Sequence, residues 1–170
     1  MNRNVEIKVK ITESLESLLT RVAAIADREP IEIFQDDTFF TCPNGRLKLR
    51  TFSVTEGDLI FYQRSVGTGP KESRYVIAET AVPDSLREVL KLAYGDAGRV
   101  LKVRTLFLVG RTRVHIDRVV GLGNFLELEV VLAEGESVES GVAVAHELLE
   151  KLGLLSKQLV ADAYVDLLAE

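Results

Sequence analysis

Hydrophobic and polar residues recur along this chain with two different periods. A period of two, or a short extended run between turn residues, predicts β-strands at residues 4–11, 32–41, 46–52, 59–64, 72–79, 100–109, 112–119 and 124–132. Apolar residues spaced by three and four, together with helix start and stop signals, predict helices at 12–27, 83–94, 137–152 and 156–168.

The predicted elements place helices among about eight strands and end with two helices. This order is typical of an α+β fold, and the number of strands permits a closed antiparallel β-barrel with surrounding helices. Residues 1–170 are expected to form a single domain, because 46% hydrophobic side chains suffice for one core and no linker interrupts the chain.

The strand predicted at 124–132 carries two carboxylates on one face. Leucine and valine residues alternate there with Glu127 and Glu129, so the two carboxylates lie about 7 Å apart, twice the rise per residue of a strand. A half-buried antiparallel strand with one hydrated face explains this pattern by itself. The alternative interpretation is a rigid wall suited to a divalent cation.

Most other predicted strands also have one apolar face and one charged face. The basic residues on the charged faces are Lys8, Lys10, Lys48, Arg50, Arg64, Lys102, Arg104 and Arg113. The acidic ones are Glu6, Asp117, Glu127 and Glu129. Helices need apolar surface to pack on, so the charged faces of a closed barrel would line its interior.

Such an interior is costly unless it binds a ligand. Two like charges on neighbouring strands, roughly 5 Å apart, repel by about 3 kcal/mol at an effective dielectric of about 20. Many inward cations favour a polyanion, and carboxylates among them favour a metal ion, since Mg²⁺ commonly binds carboxylates together with phosphate oxygens. The pattern predicts a triphosphate bound with Mg²⁺ or Mn²⁺. The alternative is an open sheet with a solvated charged face.

Composition excludes several classes of protein. The net charge of −5 does not favour nucleic acid as a partner. The one cysteine, Cys42, cannot form an internal disulfide, which suits a reducing compartment. No apolar run approaches the ~18 residues of a membrane span, and the first residues contain no apolar secretory segment. We therefore expect a cytoplasmic protein without a membrane or nucleic-acid partner.

Several segments resemble those of a known family. They are NVEIKVKI at 4–11, QDDTFF at 35–40, LKLR at 47–50, LKVRTLFLVG at 101–110, VHIDRVVGLGNFLELE at 114–129 and AYVDLL near the end. The spaced D-x(3)-GLG-x-F-x-E-x-E block from Asp117 to Glu129 is the most specific. The chain resembles CYTH-domain proteins of the triphosphate tunnel metalloenzyme superfamily, and within it the class IV adenylyl cyclases.

The resemblance implies a role for most of the charged residues. It implies Glu6, Glu127 and Glu129 as ligands of Mg²⁺ or Mn²⁺, with Asp117 beside the metal. It implies catalytic roles for Glu6, Lys8, Asp117 and Glu127. The residues expected to bind substrate phosphates are Lys8, Lys10, Lys48, Arg50, Arg64, Lys102, Arg104 and Arg113.

The first strand departs from the ExExK motif of the family. One register places Asn4 at the first Glu, and the register Glu6-x-Lys8-x-Lys10 loses the second Glu, so one carboxylate is missing either way. An amide oxygen can coordinate a metal but brings no charge. On another strand, His115 could act as a general base if it faces inward, although a strand histidine without a catalytic role is the favoured interpretation.

Three functions follow from the resemblance. The leading one is a class IV adenylyl cyclase-like enzyme that converts ATP to cyclic AMP and pyrophosphate. The second is a hydrolase of inorganic, thiamine or nucleoside triphosphate, and the third is a non-catalytic module that binds nucleotide or polyphosphate. The partner is a nucleotide or other triphosphate in each case. Family members are often dimers, so a homodimer is also expected, although no segment identifies an interface.

Overall fold

Eight antiparallel strands form a closed barrel in the computed structural model, which describes residues 1–67, 69–154 and 159–170. The strands are β1 Asn2–Lys10, β2 Ile31–Phe40, β3 Arg46–Ser53, β4 Glu56–Arg64, β5 Lys71–Thr80, β6 Asp96–Val109, β7 Thr112–Val119 and β8 Gly123–Val131. The helices in the described residues are α1 Leu15–Ile25, α2 Pro83–Tyr94, α3 Val138–Lys151 and α4 Tyr164–Leu168. The predicted α+β barrel is confirmed.

The strand order around the barrel is β1-β5-β4-β3-β2-β6-β7-β8, and the pairing of β8 with β1 closes it. In that last pair Lys8 lies opposite Glu127, and Glu6 lies opposite Glu129. Residues opposite each other in antiparallel strands share a face of the sheet. The register therefore brings charged residues from the two ends of the sequence onto one surface.

The apolar faces of the strands lie outside the barrel and under the helices. Val5, Ile7 and Val9 of β1 are buried in one core cluster with residues of β7, β8, α1 and α3. Helix α3 approaches β1 closely at Gly141, where an added Cβ would lie 2.6 Å from a methyl group of Val5. A smaller cluster packs α2 on β2 and β3. Packing of the helices outside directs the polar faces inward, as the sequence predicts.

The C-terminal segment packs against one end of the barrel. Leu159 forms an isolated bridge with Val9, and the ring of Tyr164 contacts Phe125 at a centroid distance of 4.9 Å. Val165 approaches β6 at Gly98, where a Cβ would lie 2.5 Å from the valine Cγ2. Gly98 has φ +125°, so a side chain there would be strained as well as crowded.

Two predicted elements differ from the structure. The helix predicted at 156–168 begins only at Tyr164, because the chain before it is drawn into contact with β1; residues 155–158 lie outside the described residues. Strand β6 begins at Asp96 rather than at residue 100, because these additional residues continue the pairing with β2.

None of the helices described here combines the length and the hydrophobicity that crossing a membrane requires.

Candidate active site

The barrel encloses a cavity of about 260 Å³ lined by alternate residues of its strands. Ten of the site residues that the sequence predicts lie on this wall: Glu6, Lys8, Lys48, Arg50, Arg64, Lys102, Arg104, Arg113, Glu127 and Glu129. They come from six different strands, and the closed register brings them together. The tunnel is therefore a charged cavity rather than a filled core.

Two other predicted site residues are placed differently. The Lys10 ammonium donates to the carbonyl oxygen of Leu122 and lies 4.4 Å from the ring centroid of Phe125, so it does not line the cavity. Lys10 follows Val9, where the C-terminal segment pairs with β1. The expectation that Lys10 joins the other cations is therefore wrong. Asp117 is fully buried behind the cations that line the wall.

A first ion cluster holds two of the cations from strand β3. The Arg50 guanidinium donates to both carboxylate oxygens of Asp37 at 2.8 Å, and the Lys48 ammonium lies 3.2 Å from Asp37 Oδ2. Burial alone would raise the pKa of Asp37, but Arg50 and Lys48 outweigh burial and hold it well below its usual value. Asp37 therefore stays charged and fixes both cations against the wall.

A second ion cluster holds the cations of strand β6 in the same way. Asp117 accepts two hydrogen bonds from Arg104, at 2.8 and 2.9 Å, and one from Lys102 at 3.2 Å. The Tyr164 hydroxyl donates to the same carboxylate at 2.9 Å. Burial would raise the pKa of Asp117, but Arg104 and Lys102 hold it well below its usual value. Asp117 thus orients two cations toward the cavity.

The two lysines beside Tyr164 have lowered pKa values. Burial, followed by the charge of Arg104, lowers the pKa of Lys102 to about 7. Burial is also the main cause that lowers the pKa of Lys8 to about 8. Both ammonium groups lie over the Tyr164 ring, at 4.1 Å for Lys8 and 4.9 Å for Lys102. A bound anion would stabilise their charged forms.

Strands β1 and β8 contribute three carboxylates to the wall, together with Lys8. Burial and the neighbouring charges of Glu127 and Glu129 raise the pKa of Glu6 to about 7. His115 Nδ1 lies 3.4 Å from an oxygen of each of Glu127 and Glu129. Burial and the charge of Arg104 lower the pKa of His115, so its imidazole is neutral at pH 7. Three carboxylates and a neutral nitrogen donor therefore share one region.

These residues fit a divalent metal ion. One ligand atom from each of His115, Glu127 and Glu129 can be chosen so that all three lie within 4.8 Å of one another. Asn4 also lines the cavity, and its Oδ1 is buried without a hydrogen-bond partner among the described residues. Such a buried oxygen is costly unless a ligand satisfies it. Carboxylate, imidazole and amide groups are all donors to divalent ions.

The sequence does not indicate a role for two residues of this wall, Asp37 and Tyr164. Asp37 shares the inward face of β2, but the adjacent Asp36 makes the face ambiguous in the sequence. Tyr164 reaches the cavity only because the C-terminal segment returns to the barrel end. His115 was considered as a base, and its shared parity with Arg113 was the available signal that it faces inward.

This chain is similar to known proteins in sequence pattern and in fold. The family model described as the CYTH domain matches residues 2–164. The chain belongs to the CYTH domain family. No curated protein matches the chain at a significant level.

Three solved structures illustrate how widely the CYTH fold is shared. The PH1012 protein of Pyrococcus horikoshii OT3 is 20% identical with a TM-score of 0.85, and the match covers 96% of this chain and 98% of that one. A candidate adenylate cyclase of Vibrio parahaemolyticus is 19% identical with a TM-score of 0.79, covering 98% of both chains. The candidate adenylyl cyclase HpAC1 of Hippeastrum, described as having a dominant triphosphatase activity, is 13% identical with a TM-score of 0.65, covering 99% and 94%.

Proposed function

We propose that this CYTH protein is a metal-dependent enzyme that acts on a triphosphate, and that ATP is its substrate. The observation that supports the proposal is the combination of charges on the cavity wall. Seven lysine and arginine side chains line one cavity together with Glu6, Glu127 and Glu129, and Lys8 and Arg104 lie beside Glu127 itself. Phosphate oxygens need the cations, and a divalent ion needs the carboxylates, so one cavity accommodates both. Members of this family typically act on triphosphates with a metal ion.

Cyclisation is the leading reaction. The ribose 3′-hydroxyl of ATP attacks the α-phosphorus, its proton is lost to a base, and the bond to the β-phosphate breaks to release pyrophosphate. A divalent ion, when bound, lowers the pKa of the attacking hydroxyl. Arg50, Lys102 and Arg104 stabilise the charge that develops on the phosphoryl oxygens. Because Asp37 and Asp117 hold these cations rigidly, little reorganisation is needed during the reaction.

Uncharged side chains on the same wall favour an organic triphosphate over bare tripolyphosphate. Ile60, Tyr62, Tyr75 and Ile77 line the cavity together with the charged groups. Apolar and aromatic surfaces suit a base or sugar, whereas a phosphate chain gains nothing from them. The resemblance in the Asp117 to Glu129 block also favours the cyclase branch.

Triphosphate hydrolysis is the second candidate. Its supporting observation is Glu6, a carboxylate on the cavity wall directly opposite Glu129 that can accept a proton from an attacking water. Water would then attack the terminal phosphorus and release orthophosphate. The Hippeastrum protein, similar in fold, is described with such an activity.

Product identification tests both reactions. Purified protein is incubated with ATP, tripolyphosphate or thiamine triphosphate and with Mg²⁺ or Mn²⁺, and the products are identified by phosphorus NMR. Cyclic AMP with an equal amount of pyrophosphate is the expected result. Orthophosphate without cyclic product would establish the hydrolase instead. Tight binding without any product would overturn both and leave the non-catalytic binding module.

A further inference from the structure

We propose that the metal site of this chain uses His115 as a nitrogen ligand beside Glu127 and Glu129, and that it selects a first-row transition-metal ion such as Mn²⁺ over Mg²⁺. The inference rests on the proposed function only in that a divalent ion occupies the tunnel. It adds the identity of one ligand and the class of ion, which the charged pattern of the sequence leaves open.

The distances at His115 are compatible with coordination of one ion by its Nδ1 and the two carboxylates. Nδ1 lies 3.4 Å from Glu127 Oε1 and 3.4 Å from Glu129 Oε2. Both distances are long for hydrogen bonds of an N–H group. Adjacent ligand atoms around an octahedral or tetrahedral ion with bonds of about 2.1 Å lie roughly 3.0 to 3.4 Å apart. One ligand atom from each of the three residues can be chosen so that all lie within 4.8 Å of one another, so a shift of the carboxylates places all three around one ion.

Asn4 gives an independent indication of a ligand at this place. It is 2% exposed, and its Nδ2 donates to Glu129 Oε1 at 2.7 Å. Its Oδ1 is buried and has no hydrogen-bond partner in the described part of the chain. The hydrogen bond fixes the Asn4 amide beside the carboxylate of Glu129. The Oδ1 of the same amide is left as an acceptor without a donor among the described residues. A metal ion supplies what this oxygen lacks.

The donor set decides which ion is preferred. Mg²⁺ is bound through oxygen ligands and keeps several waters, whereas imidazole nitrogen favours transition-metal ions. Here β1 has one carboxylate fewer than the family motif in either register, and the imidazole of His115, 3% exposed, lies beside Glu127 and Glu129. Loss of a carboxylate weakens the site for Mg²⁺ through lost charge. A nitrogen ligand compensates this loss only for ions that bind nitrogen well.

Pulsed electron paramagnetic resonance of bound Mn²⁺ tests the ligand directly. The chain has two histidines, His115 and His146, and His146 is exposed on α3. Protein is labelled with ¹⁵N at histidine and loaded with Mn²⁺ without nucleotide. Hyperfine coupling to ¹⁵N is expected in the wild type and in the matched control H146Q, and its loss is expected in H115Q. Absence of ¹⁵N coupling in the wild type would overturn the proposal without any variant.

Calorimetric titration with Mn²⁺ and with Mg²⁺ tests selectivity. The wild type is expected to bind Mn²⁺ at least about tenfold more tightly than Mg²⁺. H115Q is expected to lose at least about tenfold in Mn²⁺ affinity, which is the smallest loss typical even of a residue that only orients a ligand, with Mg²⁺ affinity unchanged within error. Equal losses for both ions would show that His115 only orients the carboxylates, which contradicts the proposal. Circular dichroism checks that H115Q is folded. If H115Q does not fold, the electron paramagnetic resonance spectrum of the wild type alone tests the proposal.

Failure of this inference can be told apart from failure of the proposed function. Both metal experiments are made without substrate, so ¹⁵N coupling supports the nitrogen ligand even if no triphosphate is turned over. Conversely, turnover with a Mn²⁺ spectrum that lacks ¹⁵N coupling supports the enzyme and excludes the nitrogen ligand.

Discussion

At the scale of single residues, the tunnel holds its charges in two different ways. Asp37 and Asp117 each form ion pairs with two cations at short range, and these ion pairs use both carboxylates fully. Glu127 and Glu129 instead share the imidazole of His115, and each has one arginine beside it, with Arg104 at 3.7 Å from Glu127 and Arg113 at 3.2 Å from Glu129. The first arrangement fixes positive charge in place. The second leaves carboxylates that can still accept a metal ion.

Glu127→Gln is expected to abolish metal-dependent turnover while the protein stays folded. The substitution removes one negative charge from the acidic cluster and keeps the size of the side chain. Loss of one preorganised electrostatic group typically costs on the order of 100-fold or more in rate. Steady-state kinetics with saturating metal measure the effect, and Glu79→Gln, an exposed position on β5, is the matched control. Near-normal turnover in folded Glu127→Gln would contradict the assignment.

Asp37→Asn is expected to destabilise the protein by about 3 kcal/mol or more, because it leaves Arg50 and Lys48 buried without a counter-charge. Added tripolyphosphate should restore more stability to this variant than to the wild type, since its oxygens can replace the lost carboxylate. Urea unfolding with and without tripolyphosphate measures both effects.

The neighbouring residue provides the control for this prediction. Asp36 faces outward and pairs with the largely exposed Arg99, so Asp36→Asn should cost about 1 kcal/mol or less. It should also show no extra response to tripolyphosphate. Equal destabilisation by the two substitutions would mean that burial in the tunnel does not determine the loss of stability.

Alternation along the strands was sufficient to predict which residues face inward, because one apolar face must lie under helices. It could not decide between Asp36 and Asp37, since adjacent residues point to opposite faces and both are acidic. It also failed at Lys10. This residue shares a face of β1 with Lys8 but lies at the end of the strand, where the C-terminal segment packs. Alternation predicts the face of the sheet on which a side chain lies. Whether that side chain also reaches the cavity depends on its position along the barrel axis, which long-range packing determines.

At the scale of elements, the docking of α3 on the barrel fixes β1 and β8, the two strands that carry the acidic cluster. The close approach depends on Gly141, which has no side chain to separate the helix from Val5 and Leu132. Helix α3 therefore has little freedom to shift. A change in this contact is expected to reach the cavity through β1.

Gly141→Ala is expected to lower the free energy of unfolding by about 1 to 3 kcal/mol. Alanine raises helix propensity by about 1 kcal/mol, but its Cβ would lie 2.6 Å from Val5 Cγ2 and 2.8 Å from Leu132 Cδ2. Denaturant unfolding measures the change. In a Val5→Ala background the same substitution should cost less, and strictly additive effects would show that this contact is not the cause.

Element prediction failed where the chain's own preference competes with packing on a distant element. Residues before Tyr164 have helical spacing, yet Leu159 pairs with Val9 and Ala163 packs at the barrel end. A contact between residues about 150 positions apart leaves no signal in local periodicity. The strands of the barrel were predicted better. Each of them has one face on the outside and one face on the inside of the same closed sheet, so the alternation within the strand itself carries the signal.

At the scale of the whole molecule, the charge of the tunnel is opposite to that of the protein. The net charge is −5, but basic residues outnumber acidic ones along the cavity wall. The cations are kept close together only because the barrel buries counter-charges behind them. Part of the remaining repulsion is relieved by lowered pKa values of the cations, and Lys102, whose pKa falls to about 7, is the clearest case.

The pKa of Lys102 gives pH effects of opposite sign on stability and on binding. Burial and Arg104 lower it from 10.5 to about 7; Arg50 acts in the same direction, while Asp117 and Asp37 oppose it. Between these values the unfolded chain binds more protons than the folded one. The contribution of Lys102 to the free energy of unfolding therefore rises with pH across this window. A polyanion binds the charged form, so its affinity should fall as pH rises through 7.

Metal-free binding of tripolyphosphate is accordingly expected to take up protons just above pH 7, because the bound anion raises the pKa of Lys102. Calorimetry in two buffers of different ionisation enthalpy measures this uptake. Lys102→Met should reduce both the uptake and the pH dependence of affinity, whereas Lys91→Met, on the exposed surface of α2, should change neither. Proton release on binding, or an uptake that survives in Lys102→Met, would show that another group of the tunnel controls the pH response.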